Sequence, residues 1–318
     1  MRLVLAVALA ALIVTTGVAF QSAPSPTSPA IAKGVAFLRA ELPKWRHNGD
    51  AARALLEAAA RGYDVGSSLD ETLNFLKQPA GWDQNKTPGG FNNQRLARLQ
   101  FASALAVAER HGRAASTDLE AAAKLLVADQ DANGSWPLDE SQSLGSPATY
   151  GTILATWSAR TSLIASGMQP DNFTIVQADR WLRGLTVESV FDASSLLLAL
   201  DLTGDVMADG LRRNALSVVR TGQAANGGWG PDATTPPQVF DTALAVLALS
   251  ALNVEPRIAR STYRPEELLE AIAKGKAFIE SQQRPDGSWP ETTRPAGQES
   301  YTERISTTGW ALLALLAK

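Results

Sequence analysis

Three aspartates recur at one position of the chain's apolar stretches, in Gly49-Asp50-Ala51-Ala52, Phe191-Asp192-Ala193-Ser194 and Phe240-Asp241-Thr242-Ala243. Each opens a segment rich in alanine or leucine, which places Asp50, Asp192 and Asp241 at the N-termini of equivalent helices, at one end of the molecule. Carboxylates so placed suit two chemistries. As N-caps each accepts backbone N–H groups and stabilises its helix by roughly 0.5–2 kcal/mol. As a ring around a cavity mouth they bind calcium or act as acid and base. Recurrence favours capping, because the same structural need returns in every repeat.

Other groups able to contact a ligand fall in three long insertions. Pro290–Arg304 carries Arg294, Glu299, Tyr301, Glu303 and Arg304; Pro137–Ala148 ends beside Tyr150; the third runs from Asp83 to Asn93. Loops held on a rigid scaffold are where binding residues concentrate. Trp157 and Trp310 follow on the adjoining helices, where an aromatic ring either packs in the core or lines a pocket.

Much chemistry is excluded by composition. The chain has 318 residues, no cysteine and two histidines, His47 and His111, at no metal-ligand spacing, so thiolate nucleophiles, disulfides and zinc sites are not expected. Neither a metal nor a cofactor is expected. A net charge of −3 favours no nucleic-acid partner. Gly89-Gly90 lacks the Lys-Ser/Thr of a phosphate loop, and no Ser/His/Asp order stands out.

The elements that hold these residues are repeats, preceded by an address. Arg2, the apolar run Leu3–Val14 and the small residues Gly17-Val18-Ala19 read as a signal peptide over 1–19, too short for a membrane span. A Pro/Ser-rich linker over 20–30 follows, and the folded domain is expected over 31–318, exported to the periplasm or the exterior. Within it, Gln130…Gly134-Ser135-Trp136, Gln223…Gly227-Gly228-Trp229 and Gln283…Gly287-Ser288-Trp289 share one spacing, with Gln six residues and Gly two residues before Trp. Each follows an amphipathic run and precedes a strongly apolar one. Residues 68–112, with Gln78 and Gly81-Trp82, and residues 31–62 and 174–204 supply degenerate copies. Six helical hairpins result, with outer helices expected around 34–40, 70–77, 119–129, 176–184, 211–221 and 267–282. The last apolar helix, ending Trp310-Ala311-Leu312-Leu313-Ala314-Leu315-Leu316, has no polar cap, so a closed ring is expected rather than an open solenoid.

The run Lys274-Gly275-x-x-Phe278-Ile279-x-x-x-Gln283-x-x-x-Gly287-x-Trp289 resembles the Gln-Trp repeat of squalene–hopene cyclases. This likeness to the terpenoid-cyclase and protein-prenyltransferase superfamily implies an all-α fold, an α6/α6 toroid, in which Gln and Trp pack together and tie outer helices. It implies little activity. The family's Asp-x-Asp-Asp-Thr-Ala acid motif corresponds to Gln238-Val239-Phe240-Asp241-Thr242-Ala243, so Phe240 stands in the proton donor's place. The prenyltransferases' Asp/Cys/His zinc site lacks its cysteine, and no Asp-Asp-x-x-Asp cluster exists for magnesium pyrophosphate. Two functions remain open. One is an exported module binding a small ligand, extended and apolar or a saccharide, in the toroid cavity. The other is a toroid-class enzyme, either cyclase-like or a calcium-assisted polysaccharide lyase, with Asp50, Tyr150, Asp192, Asp241, Tyr301, Glu303 and Arg304 as candidate cavity residues.

Overall fold

Alternation of amphipathic and wholly apolar segments becomes alternation of outer and inner helices. The computed structural model describes residues 28–44, 48–84, 93–138, 151–200, 206–253, 262–292 and 301–318, among which no strand occurs. The expected signal peptide and most of the linker lie outside the described residues. The outer helices are α1 (Pro29–Glu41), α3 (Ser68–Leu76), α5 (Ser116–Asp129), α7 (Phe173–Arg183), α9 (Val206–Thr221) and α11 (Pro265–Ser281). The inner helices are α2 (Gly49–Ala59), α4 (Gln94–Arg110), α6 (Thr152–Ala165), α8 (Val190–Ala199), α10 (Val239–Asn253) and α12 (Tyr301–Leu316). Helix α1 starts two residues before the expected domain boundary, because Pro29 at the first helical position supplies a helix-ready φ and needs no amide partner.

The ring is closed. Helices α2, α4, α6, α8, α10 and α12 each pack on the next, and α12 packs back on α2. Outer helices seat in the grooves between them, α1 against both α12 and α2 and α11 against both α10 and α12. Inner helices surrounded in this way need apolar residues on nearly every side, which is why α10 and α12 are buried along most of their lengths. All inner helices run in one direction, so their N-termini share one end of the ring.

The Gln–Gly–Trp turns are the joints. Gln283 Nε2 donates to Gly287 O of its own turn at 3.0 Å and to Ala30 O of α1 at 2.8 Å. Gln130 does the same with Gly134 O and Thr174 O of α7, and Gln223 with Gly227 O and Ala271 O of α11. Each Trp indole N–H donates ten residues back, to Leu126 O, Val219 O or Ile279 O, within 2.6–2.7 Å. Its backbone N–H donates to a threonine of the following inner helix, Thr156, Thr242 or Thr308. Gly287 has φ +89°, and a Cβ there would sit 2.4 Å from Lys33 O. Only glycine permits both the turn and that approach.

The second repeat is jointed differently. Its turn tightens into a 3-10 helix, Pro79–Gln84, and Gln78, just past the end of α3, donates back to Asn74 O of that helix. Trp82 is buried against Phe101, with ring centroids 5.5 Å apart. Arg98 takes over the bridge, pairing with Asp83 at 2.6 Å and Asp129 at 2.7 Å. The two carboxylates outweigh burial and hold its guanidinium above the ordinary arginine value.

These joints are expected to differ in energy. Trp289→Ala should cost roughly 3–5 kcal/mol and Gln283→Ala about 1–3 kcal/mol, since two carbonyls lose their donor. Gln78→Ala should stay within about 0.5 kcal/mol, as for an ordinary surface change. Urea unfolding measures all three, and a Trp289→Ala cost under about 1 kcal/mol contradicts the joint.

Candidate functional site

At the N-terminal end of the inner ring the candidate carboxylates are present, but their setting differs from the expected one. None of the three aspartates is an N-cap. Asn48 caps α2, its Oδ1 accepting from Ala51 N at 2.9 Å, and Ser189 caps α8, its Oγ accepting from Asp192 N at 3.0 Å. Both take the extended backbone that a cap requires. The aspartates stand two or three residues beyond the cap position, in the first turn, where a negative charge still complements the helix dipole. Asp192 Oδ2 accepts from Ser189 Oγ at 2.8 Å. Asp50 is fully buried and accepts from Gln100 Nε2 at 2.9 Å and from Ser306 Oγ, joining α2, α4 and α12. Asp241 is buried as well.

The last insertion is also shorter than expected. Helix α12 begins at Tyr301, so Glu303 and Arg304 belong to its first turn rather than to a loop. The polar stretch before Thr307 had hidden that start. Glu303 is buried, and Arg304 pairs with Glu291 at 3.1 Å, which also holds Arg284 at 3.0 Å. Tyr150 lies outside the described residues. Among the described residues, no three His, Cys, Asp or Glu side chains are grouped to hold a metal ion.

Below this end the ring's centre is filled. Phe240 is fully buried, edge-on to Trp310 at 5.3 Å between centroids and 6.1 Å from Phe191. Trp310 in turn carries the Arg53 guanidinium, whose carbon lies 4.7 Å from the indole centroid and 5.6 Å from that of Trp157. These contacts form one aromatic chain from the aspartate end to the middle of α2.

Beyond Arg53 the ring opens. A cavity of about 710 Å³ occupies the middle and C-terminal halves of the inner helices, the size of a small-molecule site. Leu198, Leu247, Leu313 and Leu316 line it together with Val107, Ala106, Ala165, Ala251 and the Trp157 ring. Polar side chains enter from four inner helices: Arg53 on α2, Ser103 on α4, Ser158, Thr161 and Ser162 on α6, and Ser250 on α10. Among the described residues expected to meet a ligand, Trp157 lies among these walls.

At the mouth, Glu57 accepts from Arg61 at 2.7 Å, pairs with Arg110 and lies 3.4 Å from His111 Nε2. Burial would raise its carboxyl, but the Arg61 hydrogen bond and the charges of Arg110, Arg61 and His111 outweigh that and hold it below the ordinary 4.5. The cluster therefore fastens α2 to the end of α4. Sequence reasoning passed over Arg53 and Glu57, yet a signal existed. They are the two charges within the stretch Ala51-Ala52-Arg53-Ala54-Leu55-Leu56-Glu57-Ala58, four residues apart and thus on one helix face.

Because its folded value is depressed, Glu57 contributes stability that is present above its unfolded value and lost as pH falls through the folded one. Glu57→Gln should accordingly be less stable than the parent at neutral pH. The gap should narrow on acidification from about pH 6 to about pH 3, as measured by urea unfolding at each pH. A gap independent of pH contradicts the assignment.

Comparison with protein-family models and with curated proteins finds no match. Solved structures do match. The type II terpene cyclase MstE from Scytonema is 16% identical, with a TM-score of 0.58 over 90% of this chain and 96% of that one. A protein from Actinoplanes is 15% identical, with a TM-score of 0.57 over 90% and 97%. A glycosidase is 13% identical, with a TM-score of 0.52 over 90% and 96%. The fold is thus the α/α toroid, terpenoid-cyclase-like in architecture and shared with glycosidases.

Proposed function

We propose that this chain is an exported binding protein that holds an extended apolar ligand in its toroid cavity and does not cyclise polyenes. The observation that carries this reading is the cavity itself, walled by leucines and alanines and closed off from the aspartate end by packed aromatic rings. Burying a hydrocarbon chain against such walls yields roughly 25 cal/mol per Å² of apolar surface. A saccharide needs many polar partners, and the carboxylate best placed at the mouth, Glu57, is already held by two arginines. The signal-peptide reading of residues 1–19 supports export.

The lack of cyclase activity follows from the chemistry of Phe240. Protonating an alkene takes a strong, preorganised acid, and a phenyl ring wedged between Phe191 and Trp310 supplies none. Cyclases of this fold, MstE among them, carry out their reaction on the same scaffold, so the difference lies in side chains rather than architecture.

Native mass spectrometry of the purified mature protein, with extraction of whatever co-purifies, tests the binding reading. An apolar ligand is expected on the parent protein. Leu247→Trp, which places an indole in the empty volume, should retain the fold by circular dichroism and lose that ligand. Unchanged ligand occupancy in this variant overturns the reading. Incubation with squalene in detergent should yield no cyclised product above a heat-killed control by gas chromatography. A product that disappears in Asp241→Asn would show that Asp241 serves as the acid.

A further inference from the structure

The cavity floor holds an arginine whose hydrogen-bonding capacity is unused. Arg53 is 8% exposed, and its Nη1 is sealed from solvent with no acceptor. No carboxylate among the described residues lies within ion-pair distance of it. The hydroxyls of Ser158 and Ser250, on the same cavity's wall, are likewise buried without a hydrogen-bond partner. Among the orphaned side-chain atoms of the described residues, that of Arg53 brings a full charge to this cavity's wall, and such a group calls for a partner. Burying an unpaired charge is costly. The two indoles that flank Arg53 recover part of that cost through cation–π attraction while fixing the guanidinium. They leave its N–H donors to be satisfied.

We infer that the cavity takes an amphipathic anion, with its carboxylate or phosphate head on Arg53 and its hydrocarbon tail along the leucine wall towards the mouth. This rests on the proposed apolar-ligand reading and adds the head group. A guanidinium held flat presents a fork that matches carboxylate or phosphate oxygens. A neutral chain would leave Arg53 unsatisfied, and a cation would oppose it. Two features argue for a tail besides the head. Leu247, Leu313 and Leu316 line the same cavity, and the volume far exceeds what an inorganic anion fills.

Isothermal titration of the mature protein with dodecanoate, dodecyl phosphate, dodecanol and inorganic phosphate, each below micelle-forming concentration, tests this. Both amphipathic anions should bind roughly 10- to 100-fold more tightly than dodecanol, the range of charged hydrogen bonds, and inorganic phosphate should show no comparable binding. Arg53→Met keeps an apolar stem between the indoles and should bring both anions to dodecanol's affinity. Arg53→Lys, which keeps the charge and loses the planar fork, should reduce the anion preference several-fold, providing a second test should the methionine variant fold poorly. Dodecanol binding as tightly as the anions overturns the head-group assignment while leaving the cavity reading intact. No binding by any amphiphile overturns both. Inorganic phosphate binding as tightly as dodecyl phosphate replaces the amphipathic ligand with a free anion and refutes the proposal.

Discussion

A single side-chain amide, shared between the turn it belongs to and the helix of the next repeat, sets the geometry of this molecule. Gln130, Gln223 and Gln283 each use Nε2 twice, once inward to the glycine carbonyl of their own turn and once across to a neighbouring outer helix. The first bond fixes the shape of the turn, and the second fixes the angle between repeats. A half-buried amide that gives each of its two N–H groups to a different carbonyl tolerates little displacement of either. Outer helices held at a constant angle must curve, and after six hairpins the curve closes. The inner helices then lie parallel with their C-terminal halves around one space, so the cavity is a by-product of the joints.

The two ends of that space have been put to different use. At the N-terminal end, apolar and polar groups alike are spent on packing: Asp50 ties three inner helices, and Phe191, Phe240 and Trp310 occupy the axis. At the other end small residues such as Ala106, Ala165 and Ala251 line the space, and volume remains. The same fold in MstE and in a glycosidase shows how little architecture constrains chemistry. Which residues project into the ring, and which fill it, decides what the toroid does.

The architecture was legible because its signals are local. A Gln, a Gly and a Trp within seven residues announce the joint, and the outer helix expected over 267–282 is α11 at Pro265–Ser281. Lone polar residues were harder to place. Asp50, Asp192 and Asp241 sit two or three positions inside the cap that sequence assigned them, since Asn48 and Ser189 are equally good caps and periodicity does not resolve so small a shift at a helix start. Glu303 and Arg304 read as loop because polar residues in a first turn look like the loop before it. Arg53, Ser158 and Ser250 share nothing along the chain: they line one cavity only when α2, α6 and α10 stand around one axis. That shared wall belongs to the closed ring and has no linear trace, although an arginine within an otherwise apolar inner helix hinted at it.

Closure also changes how the molecule comes apart. An open stack of hairpins has two free ends, and unfolding frays inward from them because a terminal repeat has a single neighbour to lose. Here the joint between Gln283 and Ala30 gives the first and last repeats a neighbour on each side, so no repeat is terminal. Opening any one joint turns the ring into a stack, with new ends wherever the break occurred. The first break is therefore the costly one, and those that follow resemble the fraying of an ordinary solenoid. Loop entropy works in the same direction: the seam joins residues far apart in sequence, so it forms late, after the local hairpins, and on unfolding it is the contact whose loss releases the most chain freedom.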